Sequence, residues 1–177
     1  MIPPLREEPT QTTAHVLPDV LEPNLTIVFC GTAVGDNSAL TGVYYTGRGN
    51  KFWQTLCTVS LTPHLLKPTD FRTLPQYGLG LTDLAKYTSG SDQSLRRTDY
   101  AVRPFVEKIR EFAPKLLCFN SKKAAKTFLG TEYVEFGELD TRIGDTRLFV
   151  APSTSGAGNG YWDITYWHQL AQLSQTL

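Results

Sequence analysis

The stretch Leu25-Thr-Ile-Val-Phe-Cys30, followed at once by Gly31-Thr-Ala-Val-Gly35-Asp-Asn37, decides how this chain is read. The first part is a short apolar run that reads as a buried strand. The second part then reads as the turn leaving that strand. Its two glycines, four apart, let the backbone turn tightly and come close to a ligand. In open α/β sheets ligands bind outside the carboxyl ends of the strands, so residues 31–37 are the first place to look for a site. Ala33 stands at the centre of this turn, where a polar side chain would be expected.

Outward from this strand, the rest of the chain alternates. Asn50–Val59 has apolar residues at 52, 53, 56 and 59, a helical period. Leu79–Leu84 reads as a second strand. Residues 102–113 place Val102, Phe105, Val106, Ile109 and Phe112 on one helical face, with Pro104 in the first turn. Lys115–Phe119 is the third strand, Ser121–Leu129 a helix, Arg147–Val150 the fourth strand, and Asp163–Gln175 the last helix. Strands alternating with helices give an α/β fold: a four-stranded, mainly parallel sheet with helices on both faces. Residues 1–24, with Pro3, Pro4, Pro9, Pro18 and Pro23, read as an arm on the surface or disordered; residues 25–177 read as one domain.

Composition narrows the function. The 177 residues, 41% hydrophobic and 11% aromatic, suffice for one well-packed core. Formal net charge is zero, which disfavours a generic polyanion binder, so contacts to nucleic acid must be local. Cys30, Cys57 and Cys118 lack metal spacing and read as thiols rather than disulfide partners. An iron–sulfur cluster usually needs four such ligands. No signal peptide or membrane-length apolar run is present, so a cytoplasmic location without membrane contact is expected.

The loops at 31–48, 82–93, 119–122 and 151–160 all follow strands and should converge on one edge. That edge collects Thr32, Ala33, Asp36, Asn37, Tyr45, Asp83, Asn120, Ser153, Thr154 and Ser155. His15, His64 and His168 are scattered, so no metal site is expected. There is no G-x-S-x-G elbow, and the Gly31 loop lacks the G-K-[ST] ending of a phosphate loop. What remains is hydroxyls, amides, carboxylates and aromatic rings. That set suits a flat heterocycle, stacked on a ring and read along its edge.

Five stretches, in order, resemble the uracil-DNA glycosylase superfamily, and most closely its mismatch-specific thymine/uracil branch. They are Leu17-Pro-Asp-Val-Leu21 leading into Leu25–Gly35, Gly49-Asn-Lys-Phe-Trp53, Leu74-Pro-Gln-Tyr-Gly-Leu-Gly-Leu-Thr-Asp-Leu84, Phe119-Asn-Ser-Lys122 and Pro152-Ser-Thr-Ser155. The resemblance runs from about residue 17 to 175 and implies that superfamily's α/β sandwich. It also implies flipping of uracil out of DNA, hydrolysis of its N-glycosidic bond and release of uracil from an abasic site. The expected partners are uracil-containing DNA and the free base, the enzyme is expected to act as a monomer, and no cofactor or metal is implied. In a prokaryote it would work at the nucleoid. With no amine placed for a Schiff base, the enzyme would be monofunctional.

Carried over position by position, the resemblance puts Ala33 where the superfamily holds its water-binding Asn or Asp. Tyr45 falls on the stacking aromatic, Asp83 on the base-edge reader and Asn120 on the corresponding Asn. Ser153-Thr154-Ser155 falls on the last motif, which in the fastest members carries His. Uracil would then sit among Thr32, Ala33, Gly35, Tyr45, Asp83 and Asn120. Catalysis would fall to Asp36, Asp83 and Ser153. DNA would meet Arg48, Lys51, Lys122, Ser153, Thr154, Ser155 and Gly156. Asp83 has two readings. As a neutral acid it can imitate an amide toward the base edge; ionised, it can replace the group missing at Ala33. The alternatives for the whole protein are a slow or non-catalytic binder of damaged bases, and a glycosylase for hypoxanthine or xanthine.

Overall fold

The computed structural model describes residues 14–91 and 94–177. Residues 1–13 of the expected arm, and residues 92–93 of the expected 82–93 loop, lie outside the described residues. The elements are β1 (Ile27–Val34), α1 (Asp36–Thr41), α2 (Phe52–Thr58), β2 (Leu79–Ser89), α3 (Val102–Phe112), β3 (Leu116–Phe119), α4 (Lys122–Leu129), β4 (Gly137–Ile143), β5 (Thr146–Val150) and α5 (Ile164–Ser174). A 3-10 segment, Pro68–Tyr77, precedes β2, and a shorter one spans Gly156–Tyr161.

The sheet has five described strands in the order β2-β1-β3-β5-β4. β1 pairs in parallel with both β2 and β3, and β3 with β5; β4 runs antiparallel to β5 at the edge. The mainly parallel, helix-flanked sheet expected from the sequence is therefore present, with one strand more than expected. The extra strand is β4. Its Glu-Leu-Asp-Thr-Arg core is polar because an edge strand has water on one side, so it gives no apolar run to detect.

Three further boundaries differ from expectation. β1 continues through Val34, so Gly31–Val34 is strand and the turn comes at Gly35. Asp36–Thr41 is a short helix inside the expected 32–48 loop. β2 runs on to Ser89, although its pairing slips beside Ala33, where Ala33 opposes Ala85 but Val34 opposes Ser89.

The sheet separates two apolar layers. On one face Ile27 and Phe29 meet Phe52, Leu56, Trp167 and Leu170; on the other Val28 and Cys30 meet Phe105, Ile109, Phe119 and Ala124. Residues 16–20 close the open edge of β2. Val20 and Leu81 exchange both backbone hydrogen bonds at 2.9 Å, and the Val16 N–H donates to the Lys86 carbonyl at 2.8 Å. Leu17 and Val20 are buried there, so the exposed edge is covered rather than left to pair with another chain.

Phe52 is fully buried and meets the rings of Phe29, Tyr45, Trp53 and Trp167. Phe52→Ala should lower unfolding free energy by about 3–5 kcal/mol, read from urea or thermal unfolding. Tyr161→Ala, at a site 82% exposed, should change it by less than about 0.5 kcal/mol.

Candidate active site

The carboxyl ends of β1, β2, β3 and β5 meet around one cavity of about 660 Å³. Two tryptophans hold the loops that form its rim. The Trp53 indole donates to the Tyr44 carbonyl and the Trp167 indole to the Pro152 carbonyl, each at 3.1 Å. The helices thereby fix the 44–46 and 151–155 segments against the sheet.

Of the residues expected in the site, Thr32, Ala33, Gly35, Asp36, Tyr45, Asp83, Asn120, Ser153, Thr154 and Ser155 line this cavity. Gly156, Arg48, Lys51 and Lys122 do not. Arg48 is exposed, and its carbonyl packs against Gly156 so closely that a Cβ there would come within 2.8 Å. Lys51 hydrogen-bonds Asn159 and lies over the Trp162 ring. Lys122 faces Glu135 at 3.4 Å and lies over the Phe136 ring.

Asp83 forms the floor. It is 3% exposed, whereas Asp36, the other carboxylate on the wall, is exposed at the start of α1. Gly31 opposes Asp83 in the β1–β2 register, and a Cβ on Gly31 would stand 2.5 Å from Asp83 Oδ1. Only glycine leaves room for that carboxylate. Asp83 Oδ2 is buried without a hydrogen-bond partner and faces the Lys86 ammonium at 3.6 Å. Burial pushes the Asp83 carboxyl above its usual range, and Lys86 opposes the shift.

Tyr45 forms one wall. Its ring stacks on Phe52 with centroids 4.0 Å apart, and its hydroxyl is buried without a hydrogen-bond partner. Its backbone takes φ 56°, a strained choice for a tyrosine, held by the ring stack and by the bonds from α1 to Thr46. Across the cavity Asn120 and Thr154 bind each other. The Asn120 amide donates to the Thr154 hydroxyl at 3.0 Å, and the Thr154 N–H donates to Asn120 Oδ1 at 3.4 Å. Thr154 is fully buried, so its hydroxyl serves the pocket wall rather than the outer surface. Ser153 and Ser155 cap the backbone N–H groups of Ser155 and Ala157, which shapes the rim.

Sequence reasoning missed the charges behind the floor. The buried Lys86 and the partly buried Asp19 and Lys108 form a cluster with Tyr44 and Thr82. A lysine inside an otherwise buried strand was the one available signal, since such a charge needs a partner. Among the described residues no group of three His, Cys, Asp or Glu is placed to hold a metal.

Residues 18–173 match the family model of the uracil DNA glycosylase superfamily. The chain belongs to that superfamily. In fold it is also similar to a solution NMR structure described as a candidate uracil DNA glycosylase of Methanosarcina acetivorans. The TM-score is 0.61 at 21% identity, with 90% of this chain and 96% of the other covered. At that identity the likeness speaks for the fold, while the family match carries the membership. As a superfamily member the chain carries Ala33 on the same sheet edge as the buried Asp83.

Gly31→Ala should cost about 1–3 kcal/mol of stability, because the new methyl group forces the buried Asp83 carboxylate out of its place beside Lys86. Gly35→Ala, which meets open space, should cost less than about 0.5 kcal/mol. Urea unfolding of the two variants gives the comparison.

Proposed function

We propose that this protein is a monofunctional uracil DNA glycosylase in which Asp83 supplies the group that Ala33 lacks. The observation behind this reading is the buried Asp83 carboxylate on the pocket floor, beside the strand that carries Ala33. A uracil flipped out of DNA stacks on Tyr45 and presents its edge to Asn120. The C1′–N1 bond breaks and its electron pair leaves with the base as a uracil anion. The sugar is left as an oxocarbenium ion beside the Asp83 carboxylate, which stabilises it. Water attacks C1′ and gives its proton to Asp83. Donors at the pocket wall stabilise the charge that grows on the uracil oxygens, a term worth about 3 kcal/mol per donor in comparable sites.

Arg48 and Lys51 flank the 155–161 turn and take DNA phosphates in this reading, with the Ser153–Gly156 rim. Lys122 contributes less, since Glu135 already faces it. Ala33 also favours a second reading, a binder of damaged bases that turns over slowly or not at all. The same protein can be offered duplex and single-stranded oligonucleotides carrying U, T·G, hypoxanthine or xanthine, followed by alkali. Cleavage at uracil supports the glycosylase; retention without cleavage of any of them supports the binder.

Asp83→Asn should slow single-turnover uracil excision by about a hundredfold or more while uracil-DNA binding persists. Wild-type excision should fall on acidification, with a midpoint above the usual aspartate value of about 3.9, because burial raises this carboxyl. A rate that instead falls as pH rises, and that Asp83→Asn preserves, would assign Asp83 to base-edge reading as a neutral acid.

Tyr45→Ala should slow excision about tenfold or more, since base stacking on an aromatic ring is worth about 1–3 kcal/mol. Tyr45→Phe should be tolerated, because the hydroxyl has no hydrogen-bond partner. Equal losses from both changes, measured in the same rate assay, would give the role to the hydroxyl.

A further inference from the structure

Behind the pocket floor lies a largely buried set of charges that the hydrolysis itself does not touch. Lys86 is 5% exposed. Its ammonium stands 2.9 Å from Asp19 Oδ1, 3.1 Å from the Tyr44 hydroxyl and 3.6 Å from Asp83 Oδ2. Lys108 of α3 holds Asp19 Oδ2 at 2.7 Å and donates to the Thr82 hydroxyl, which in turn donates to Asp19 Oδ1. Lys86 and Asp83 thus sit together out of water, while Asp19 and Lys108 beside them are partly exposed. Asp19 is fully committed to Lys86, Lys108 and Thr82. Asp83 shares only Lys86, at longer range, and its Oδ1 lies against Gly31.

We propose that Lys86, shared between Asp19 and Asp83, is a positioning residue that keeps Asp83 ionised at the pocket floor and thereby sets the pH at which the site becomes active. The proposal rests on the reading of Asp83 as the acceptor of the water proton. A carboxyl buried alone would hold its proton at neutral pH and could not accept another. An ammonium within about 4–6 Å lowers such a carboxyl by about one to three pH units. The pairing slip after Ala85 is what makes the contact possible. In a regular strand residues three apart point to opposite faces, whereas here both heads reach the same cluster.

The other groups around Asp83 do not perform this task. Cys30 of β1, Tyr44 and Tyr45 are pushed by burial above their ordinary ranges and stay protonated. Asp19 is held below the ordinary range, against its burial, by Lys86 and Lys108. His15, near Lys86 and Asp19, is moved below its usual value by burial and then by Lys86. Because His15 and Asp19 also titrate in this cluster, the Asp83 carboxyl carbon itself has to be followed.

The test runs two measurements on the full chain across pH: the Asp83 carboxyl carbon by NMR, and single-turnover uracil excision. Lys86→Met should move the Asp83 titration and the acid limb of the rate upward together, by about one to three pH units, with the rate recovering at alkaline pH. Asp19→Asn should move both downward, because it removes the neighbouring negative charge and frees Lys86 for Asp83. Lys86→Arg keeps the charge and should leave both near wild type. A Lys86→Met protein that loses rate equally at every pH, with Asp83 titrating as in wild type, overturns the proposal. If Lys86→Met does not fold, Asp19→Asn decides: a titration that stays put or moves up overturns it. Absence of excision in wild type, or normal excision by Asp83→Asn, defeats the reading of Asp83 as proton acceptor. The NMR titration still decides in that case whether Lys86 governs the charge of Asp83.

Discussion

Hydrogen bonding of β1 on both sides is the constraint on which the rest depends. Ile27–Cys30 are completely buried, with β2 along one edge and β3 along the other. Because all three strands run in parallel, their carboxyl ends open at the same level. The β1–β2 register sets Gly31 against Asp83. On the other side the Asn120 N–H donates to the Cys30 carbonyl at 2.9 Å, which brings Asn120 to the same rim. Two side chains far apart in sequence are thus aimed by one strand, and the tryptophans of α2 and α5 then pin the loops that complete the ring.

The charged floor is a place where the fold gives up stability. Burying ions is costly unless they are paired, and Asp83 is the least well paired of the four. Burial raises its carboxyl, so it binds a proton more readily folded than unfolded, and it weakens the fold as pH rises from the ordinary carboxylate value toward its own. Asp19 works in the opposite sense. Its carboxyl is lowered, so it supports the fold above the ordinary value, and that support is lost as pH falls. The two acids act in opposite senses, so the cluster holds a poorly paired buried carboxylate without surrendering the whole fold.

The layered α/β architecture was legible because β1, β3 and β5 are apolar runs and α3 has a clear apolar face. β4 was not, because its polar sequence satisfies an edge. The 31–34 segment was read as a turn because glycine is the usual sign of one; here Gly31 stays in the strand to make room for a side chain from the neighbouring strand. Most of the pocket wall followed from placing strand ends together. The Asp19–Lys86–Lys108 cluster did not, because its members are brought together only by the edge-covering segment, the pairing slip in β2 and the approach of α3. No local pattern announces a contact between residues 19 and 108.

The Tyr45 ring that walls the pocket is also the outermost member of an aromatic cluster, stacked on Phe52, which in turn meets Phe29 and Trp167 edge-on. A wall of this kind is ordered before anything arrives. A flat ring laid on it meets a surface that has little freedom left to lose, which favours contact by sparing the entropy of ordering. The same stiffness acts as a limit on size. A guest needing more depth would have to lift Tyr45 off Phe52 and open both apolar faces to water. The depth of the pocket is therefore governed by the close packing of the core beneath it rather than by the loop on which Tyr45 is carried.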